Sequence, residues 1–287
     1  MAPANRASTW ASTSSLNKAP PIDHDATNGL LGPTDPDPVV VFGDGERSPF
    51  LIVCDHAGRA TPRSLHRLGL PDAAFETHIA WDIGVQGLAE RLSLALGARG
   101  IAQAYSRLVI DCNRPPGHPQ SVPEVSDGVA IPGNRGLRPA DVEARLAAIH
   151  RPYHDAIAAE MAARARLGRA NLLVCLHSFT PAMAGVARPW EVGVLHLPGS
   201  AASLALLDVL NAEHGLIVGD NEPYAMGDDD HTAPFHALSK GLDVLEIEVR
   251  QDIAGDPAGQ ARIAELLARL LPVALERSLS GQPGGGA

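Results

Sequence analysis

The stretch Leu172–Pro181, LLVCLHSFTP, runs five apolar residues straight into His177 and Ser178 before a proline stops it. An apolar run of that length, bounded by punctuation, suits a strand buried on both faces of a sheet. One histidine at such an end is most simply a core imidazole. Other strand-like runs, however, end in the same way. LIVC leads into Asp55-His56, LVIDC into Asn113-Arg114, and VLEIEV carries Glu248 ahead of Arg250. In open α/β sheets ligands bind outside the carboxyl ends of the strands, where the loops converge. Strands that deliver His, Asn-Arg, His and Glu to one edge point to a single site.

These residue types suit a metal. Two imidazoles and a carboxylate form a catalytic zinc shell that keeps one position for water. His56 and His177 supply the imidazoles. Asp82 is the expected carboxylate, because it opens the helix after the His56 loop and can point from there at the sheet edge. A plain N-cap aspartate is the structural alternative. Asp55, Glu76 and His78 stand in reserve as ligands.

The elements that must position these groups follow from the hydrophobic pattern. Strands are predicted over 49–56, 101–105, 107–113, 172–178, 191–197, 215–219 and 243–251. Helices are predicted over 82–98, with Leu88, Leu92, Ala95 and Leu96 on one face, then near 199–213 and over 257–278. Val142, Leu146, Ile149, Tyr153, Ile157 and Met161 predict one long helix over 139–167, kinked or broken at Pro152. The alternation predicts an α/β fold, a three-layer αβα sandwich with a mixed, largely parallel sheet. It forms a single domain over 38–278, between a flexible arm (1–37) and a disordered tail (279–287). Two long connections, Asn113–Pro139 and Asp220–Ala237, read as ordered lids over a site.

Composition bounds the function. The chain has 287 residues and a formal net charge of −10, which argues against a nucleic-acid surface or an anionic membrane surface. No apolar stretch approaches the roughly 20 residues a membrane span needs. Cys54, Cys112 and Cys175 all sit in apolar runs, as buried reduced thiols do. The start of the chain lacks the basic and apolar regions of a secretory signal. A cytoplasmic enzyme is expected, and a homo-oligomer is left open.

The motifs DHAG (55–58), HIAWDIG (78–84), YSRLVIDCNRP (105–115), SDGVAIPGN (126–134), RPYH (151–154), LHSFTP (176–181), RPWEVGVLH (188–196), NEPYA (221–225) and IEVRQD (247–252) resemble the N-formylglutamate amidohydrolase family. They run in order from Phe50 to Asp252. That family is similar in fold to the zinc-dependent exopeptidases, so the resemblance implies a zinc-exopeptidase-like fold and Zn2+ or another divalent metal. It also implies hydrolysis of an N-formyl or N-acyl acidic amino acid such as N-formyl-L-glutamate. LHSF is similar to the second zinc histidine of the carboxypeptidases, which supports His177. IDCNR resembles their substrate-carboxylate element, implying that role for Asn113 and Arg114. IEVR resembles their strand bearing the catalytic glutamate, implying that role for Glu248. The pattern departs at Arg59, where carboxypeptidases carry a metal-binding glutamate, and the carboxylate instead follows an insertion, at Asp82.

Several residues carry alternatives. Alternation in LEIEVRQ puts Glu246 and Glu248 on one face, where Arg250 is the obvious structural ion-pair partner. Arg107 is a further candidate for a substrate carboxylate. His150 and His154 stand four apart on a helix, a spacing that can chelate a metal from one face. No glutamate is arranged there as in HExxH, and His154 is read as a substrate contact. Of the loop histidines, His231 is best placed to reach the site. Cys175 activated by His177 is a rival nucleophile. A zinc carboxypeptidase-like hydrolase of small peptides and a non-catalytic carboxylate-binding protein are the competing functions.

Overall fold

The computed structural model describes residues 29–45, 48–169 and 171–281. Among them one sheet joins seven strands: β1 (Val39–Phe42), β2 (Phe50–Cys54), β3 (Arg99–Gln103), β4 (Leu172–Phe179), β5 (Val192–Leu195), β6 (Val218–Asp220) and β7 (Val244–Arg250). Their spatial order is β1-β3-β2-β4-β7-β5-β6. The central strands β3, β2, β4 and β7 run parallel. At one edge β1 is antiparallel to β3; toward the other, β5 is antiparallel to β7 and parallel to β6. The sheet is mixed and largely parallel, as the sequence predicts.

The main helices are α1 (Val85–Leu96), α2 (Arg151–Arg166), α3 (Ala201–Asn211), α4 (Thr232–His236) and α5 (Pro257–Ser280). Period-2 alternation in the strands divides the core in two. Ile52, Val174, Leu176, Ile247 and Val249 face α1, α3 and α5 through Leu88, Leu92, Leu206, Leu210, Leu267 and Leu271. Leu51, Val53, Leu173 and Cys175 face the other way, toward Tyr153, Ile157 and Met161 of α2. Complete burial of each such leucine or isoleucine stabilises the fold by about 1.5–3 kcal/mol.

One expected strand is absent, one strand was not expected, and the expected break in the long helix lies just before Pro152. Residues 107–113 form no strand: Val109 N–H donates to Ser106 O and the chain proceeds through turns. Its apolar residues Leu108, Val109 and Ile110 are buried, so a coil segment packed into the second core imitates a buried strand in its composition. Strand β1, at the sheet edge, was not anticipated, because VVVF is half exposed and carries no alternation. The long helix over 139–167 divides into Pro139–Arg145, a wider π-turn at Leu146–His150, and α2. Pro152 has no N–H to continue the α-helical ladder, and the wider turn takes up the defect just before it.

The described part of the arm is ordered. Tyr105 Oη–H donates to Pro36 O at 2.7 Å, and Leu30 and Leu31 pack on the second core. The rest of the arm expected over 1–37 lies outside the described residues, as do residues 282–287 of the tail.

Candidate active site

Register brings the strand ends level. Glu248 of β7 lies beside His177 of β4 on one side and Gly193 of β5 on the other. A Cβ on Gly193 would stand 2.1 Å from Glu222 O, so glycine there lets the 220–237 connection pass close to Glu248. Strand β2 ends at Cys54 and delivers Asp55 and His56 to the same edge. Asp82 N–H donates to His56 O at 2.9 Å, which folds the 77–84 segment back over the His56 turn. Gly84, with φ of +82°, then turns the chain into α1 against the carbonyl of Ala254. Gly84 occupies the N-cap position, so Asp82 is no helix cap.

His56, Asp82, His177 and Glu248 line a cavity of about 440 Å³, together with Arg107, Asn113, Arg114, Tyr224, Glu246 and Asp230. His56, Asp82 and His177 each offer one donor atom, and the three atoms lie within 4.8 Å of one another. Asp82 Oδ2 is 3.1 Å from His177 Nδ1 and 3.5 Å from His56 Nδ1. Each imidazole has a carboxylate on its far nitrogen. His56 Nε2 is 2.7 Å from Asp111 Oδ1, and His177 Nε2 faces Asp55 Oδ2 at 3.4 Å. A carboxylate there fixes the tautomer and ring orientation that a metal-binding histidine needs. With the Nε2 proton directed at Asp111, His56 Nδ1 is a bare lone pair, and it has no partner in its buried position. A lone pair 3.5 Å from a buried carboxylate oxygen is repulsive unless a cation or a proton lies with them. The donor set therefore fits a divalent metal.

Electrostatics follow the same geometry. Burial works to raise Asp111, but Arg107 and His56 hold it well below the usual carboxylate range. Burial likewise opposes the charge of Asp82, and His56 and His177 outweigh it. Glu248 behaves in the opposite way: burial pushes it up to about 7 against the pull of His177. Arg250, the partner its alternation suggests, is taken by Asp252 at 2.7 Å and by carbonyls of 188–190. Glu248 Oε2 is thus buried without a hydrogen-bond partner.

Glu246, one pleat deeper, is also without a partner at Oε2, and burial pushes it up to about 8. The reading of Glu246 as an ion-pair partner is corrected accordingly. A carboxyl raised on folding stabilises the protein fully below its unfolded value, and that contribution fades as pH rises toward the folded value. Metal-free wild-type protein should lose stability between the ordinary glutamate range and about pH 8, with a slope on the order of 1.4 kcal/mol per pH unit from this group. In Glu246→Gln that contribution should vanish, leaving the one from Glu248. Urea unfolding of both proteins at several pH values checks this; parallel pH profiles would contradict it.

The remaining candidates are placed as follows. Arg107 lines the cavity but spends Nε and Nη2 on Asp111 Oδ2, at 3.0 and 2.7 Å, and lies 3.5 Å from Asp82 Oδ1. Asn113 lines it too, yet its Oδ1 accepts the N–H groups of His231 and Thr232 at the start of α4. Its side chain fastens a loop. Arg114 uses Nη1 for Asn113 O, Asp229 O and Asp230 Oδ1, while Nε and Nη2 have no protein acceptor among the described residues. His154 does not line the cavity; it is buried, with Nε2 on Cys112 O at 2.9 Å, and burial lowers it to about 3. Of the reserves, Asp55 backs His177, Glu76 pairs with Arg59 at the surface, and His78 meets Asp127 at 3.1 Å by the cavity mouth. Cys175 is buried, and burial raises its thiol well above the usual range, so it is no activated nucleophile. Sequence reasoning missed Asp111 and Tyr224. Asp111 stands in an apolar stretch, which is the signal that could have marked it as paired.

The three-layer α/β fold gathers buried imidazoles and carboxylates at the carboxyl edge of its sheet, a set of groups suited to hydrolytic chemistry. Residues 48–254 match the family model described as N-formylglutamate amidohydrolase, and the chain belongs to that family. It is accordingly a hydrolase acting on amides. Two solved structures are among those that resemble it. The gene product Atu2144 from Agrobacterium tumefaciens is 36% identical, with a TM-score of 0.81, over 86% of this chain and 98% of that one. N-formylglutamate amidohydrolase from Ralstonia eutropha JMP134 is 22% identical, with a TM-score of 0.65, over 85% of this chain and 100% of that one. Among curated protein sequences none matches the chain. No helix of the described residues is long and apolar enough to cross a membrane.

Proposed function

We propose that the chain hydrolyses the amide bond of a small N-acyl acidic amino acid, N-formyl-L-glutamate foremost, releasing formate and the free amino acid. His56, Asp82 and His177 would hold a divalent metal, zinc in the first instance. The observation that carries the reading is the bare, buried His56 Nδ1 facing Asp82 Oδ2, beside an unpartnered Glu248. When bound, such an ion polarises a carbonyl and makes water acidic enough to attack near neutral pH. Glu248 takes the proton of the attacking water as its oxygen joins the acyl carbon. The carbon–nitrogen bond then breaks, and Glu248 returns that proton to the departing amine. Arg107 stays fixed on Asp111, which holds His56 in orientation.

The open Nε–Nη2 edge of Arg114 would take a substrate carboxylate through paired hydrogen bonds. Arg114→Lys keeps the charge and loses the fork. It should raise KM by roughly 10–150-fold, the equivalent of about 1.5–3 kcal/mol for a charge-assisted hydrogen bond. Steady-state kinetics on substrates with and without a side-chain carboxylate check this. The same loss on both would remove the side-chain carboxylate as its partner.

The function itself is tested by assaying N-formyl and N-acyl amino acids with chelator-treated and metal-reconstituted protein. Hydrolysis of N-formyl-L-glutamate should disappear on chelation and return with Zn2+. Full activity in the metal-free protein would overturn the metal role, and no turnover of any N-acyl amino acid would overturn the reaction.

A further inference from the structure

A second group of imidazoles lies outside the cavity and has no part in the chemistry above. His150 ends the π-turn, His154 follows one turn later in α2, and His231 comes from the 220–237 connection. We infer that His150, His154 and His231 form a second site for a divalent transition-metal ion, which fastens that connection to α2 beneath Arg114.

The three residues each offer one ring nitrogen, and these nitrogens lie within 4.8 Å of one another. Two of the rings are oriented by backbone carbonyls. His150 Nε2 is 3.2 Å from Arg114 O, and His154 Nε2 is 2.9 Å from Cys112 O. Each Nε2–H donates to its carbonyl, so each Nδ1 carries the lone pair. A carbonyl that holds the far N–H of an imidazole is the support metal-binding histidines commonly have. Among the described residues the His231 ring has no hydrogen-bond partner; it stacks on Phe235 and abuts His150 and His154.

His236 stands next to this trio. Its Nε2 is 2.9 Å from His154 Nδ1, while its own Nδ1 is buried without a partner. An ion taking the His154 lone pair exchanges that hydrogen bond for a coordinate bond. Donors that are all imidazole favour zinc, copper, nickel or cobalt and disfavour magnesium and calcium, which prefer oxygen. His150 and His154 are buried and His231 is half-buried, so an ion enters past His231.

The consequence is mechanical. His231 and Thr232 are already tied to Asn113 Oδ1, and Thr232 Oγ1 donates to Asp55 at 2.6 Å. Coordination at His231 therefore braces the strap that sets Asp230 against Arg114.

The test uses Zn2+ alone and does not need activity. Metal-stripped wild-type protein is expected to take up about two equivalents of zinc, one on each set of three protein donors. The variant with His56→Ala and His177→Ala should keep one equivalent and gain thermal stability when zinc is added. Adding His231→Ala to it should weaken the remaining affinity by at least about 100-fold, since even outer partners of a metal site are worth 10–100-fold. One equivalent that disappears with His56→Ala and His177→Ala and ignores His231→Ala would overturn the second site. One equivalent that survives those changes and disappears with His231→Ala would uphold it and overturn the metal at His56 instead. Should the triple variant fail to fold by circular dichroism, Co2+ titration of the double variant decides. Visible d–d bands saturating at one equivalent support the site, and their absence overturns it.

Discussion

Glu248→Gln is expected to lower kcat by about 10²–10⁴-fold, the span general-base roles cover, while leaving the fold and metal content intact. The expectation of an intact fold rests on what Glu248 does not do. It makes no ion pair with Arg250, which is occupied by Asp252, and its Oε2 has no hydrogen-bond partner to lose. Burial already favours the neutral acid, and glutamine has that shape and that charge. Substrate binding should change little, because the edge proposed to bind the carboxylate belongs to Arg114. Only the uncharged state is unable to accept a proton. Wild-type activity should therefore fall as pH drops through the raised value of this carboxyl, and the residual activity of Glu248→Gln should lack that limb. Metal analysis, KM and a pH–rate profile on one preparation separate these effects. A Glu248→Gln enzyme turning over at the wild-type rate would remove the residue from the mechanism.

His56→Ala and His177→Ala should each abolish hydrolysis together with high-affinity binding of the activating ion, and Asp82→Ala should weaken that binding strongly. The sharper comparison is with Asp111→Asn. Asp111 touches no ion site directly; it orients His56 through Oδ1 and is held by Arg107 through Oδ2. Its replacement should cost about 10–100-fold in metal affinity, the usual value of a carboxylate behind a ligating histidine. Glu76→Ala should cost nothing, since that side chain pairs with Arg59 at the surface. Competition against a chromophoric chelator measures all five proteins on one scale. Unchanged affinity in Asp82→Ala with a loss in Glu76→Ala would invert the choice of carboxylate.

The strand ends were legible because a buried parallel strand announces itself twice, by its apolar run and by the polar residues that stop it. LLVCLHS and PFLIVCDH state both, and the LEIEVR alternation places Leu245, Ile247 and Val249 in one core and Glu246 and Glu248 on the opposite face. What escaped depends on contacts between distant segments. Its apolar stretch marks Asp111 as paired, but nothing local names His56, 55 positions away, as the partner, or separates the stretch from a fifth parallel strand. Asn113 reads as a substrate contact beside Arg114, and only the fold reveals that His231 and Thr232 take its carbonyl. The two glutamates of β7 could be placed on a face, but their lack of partners depends on where Arg250 turns.

The order of the central strands also has a kinetic side. The adjacent trio β2, β4 and β7 begins at Phe50, Leu172 and Val244, so the middle of the sheet closes only when segments far apart in sequence have met. Contacts of such high sequence separation form late and slowly, because loop closure must precede the gain from pairing. The donors at positions 56, 82 and 177 inherit that timetable. An ion held by them could not nucleate this chain as it does a finger whose ligands are neighbours; it could only stabilise a chain that has already folded. In refolding, catalytic competence should appear in step with closure of the sheet, which makes turnover a reporter of completed topology.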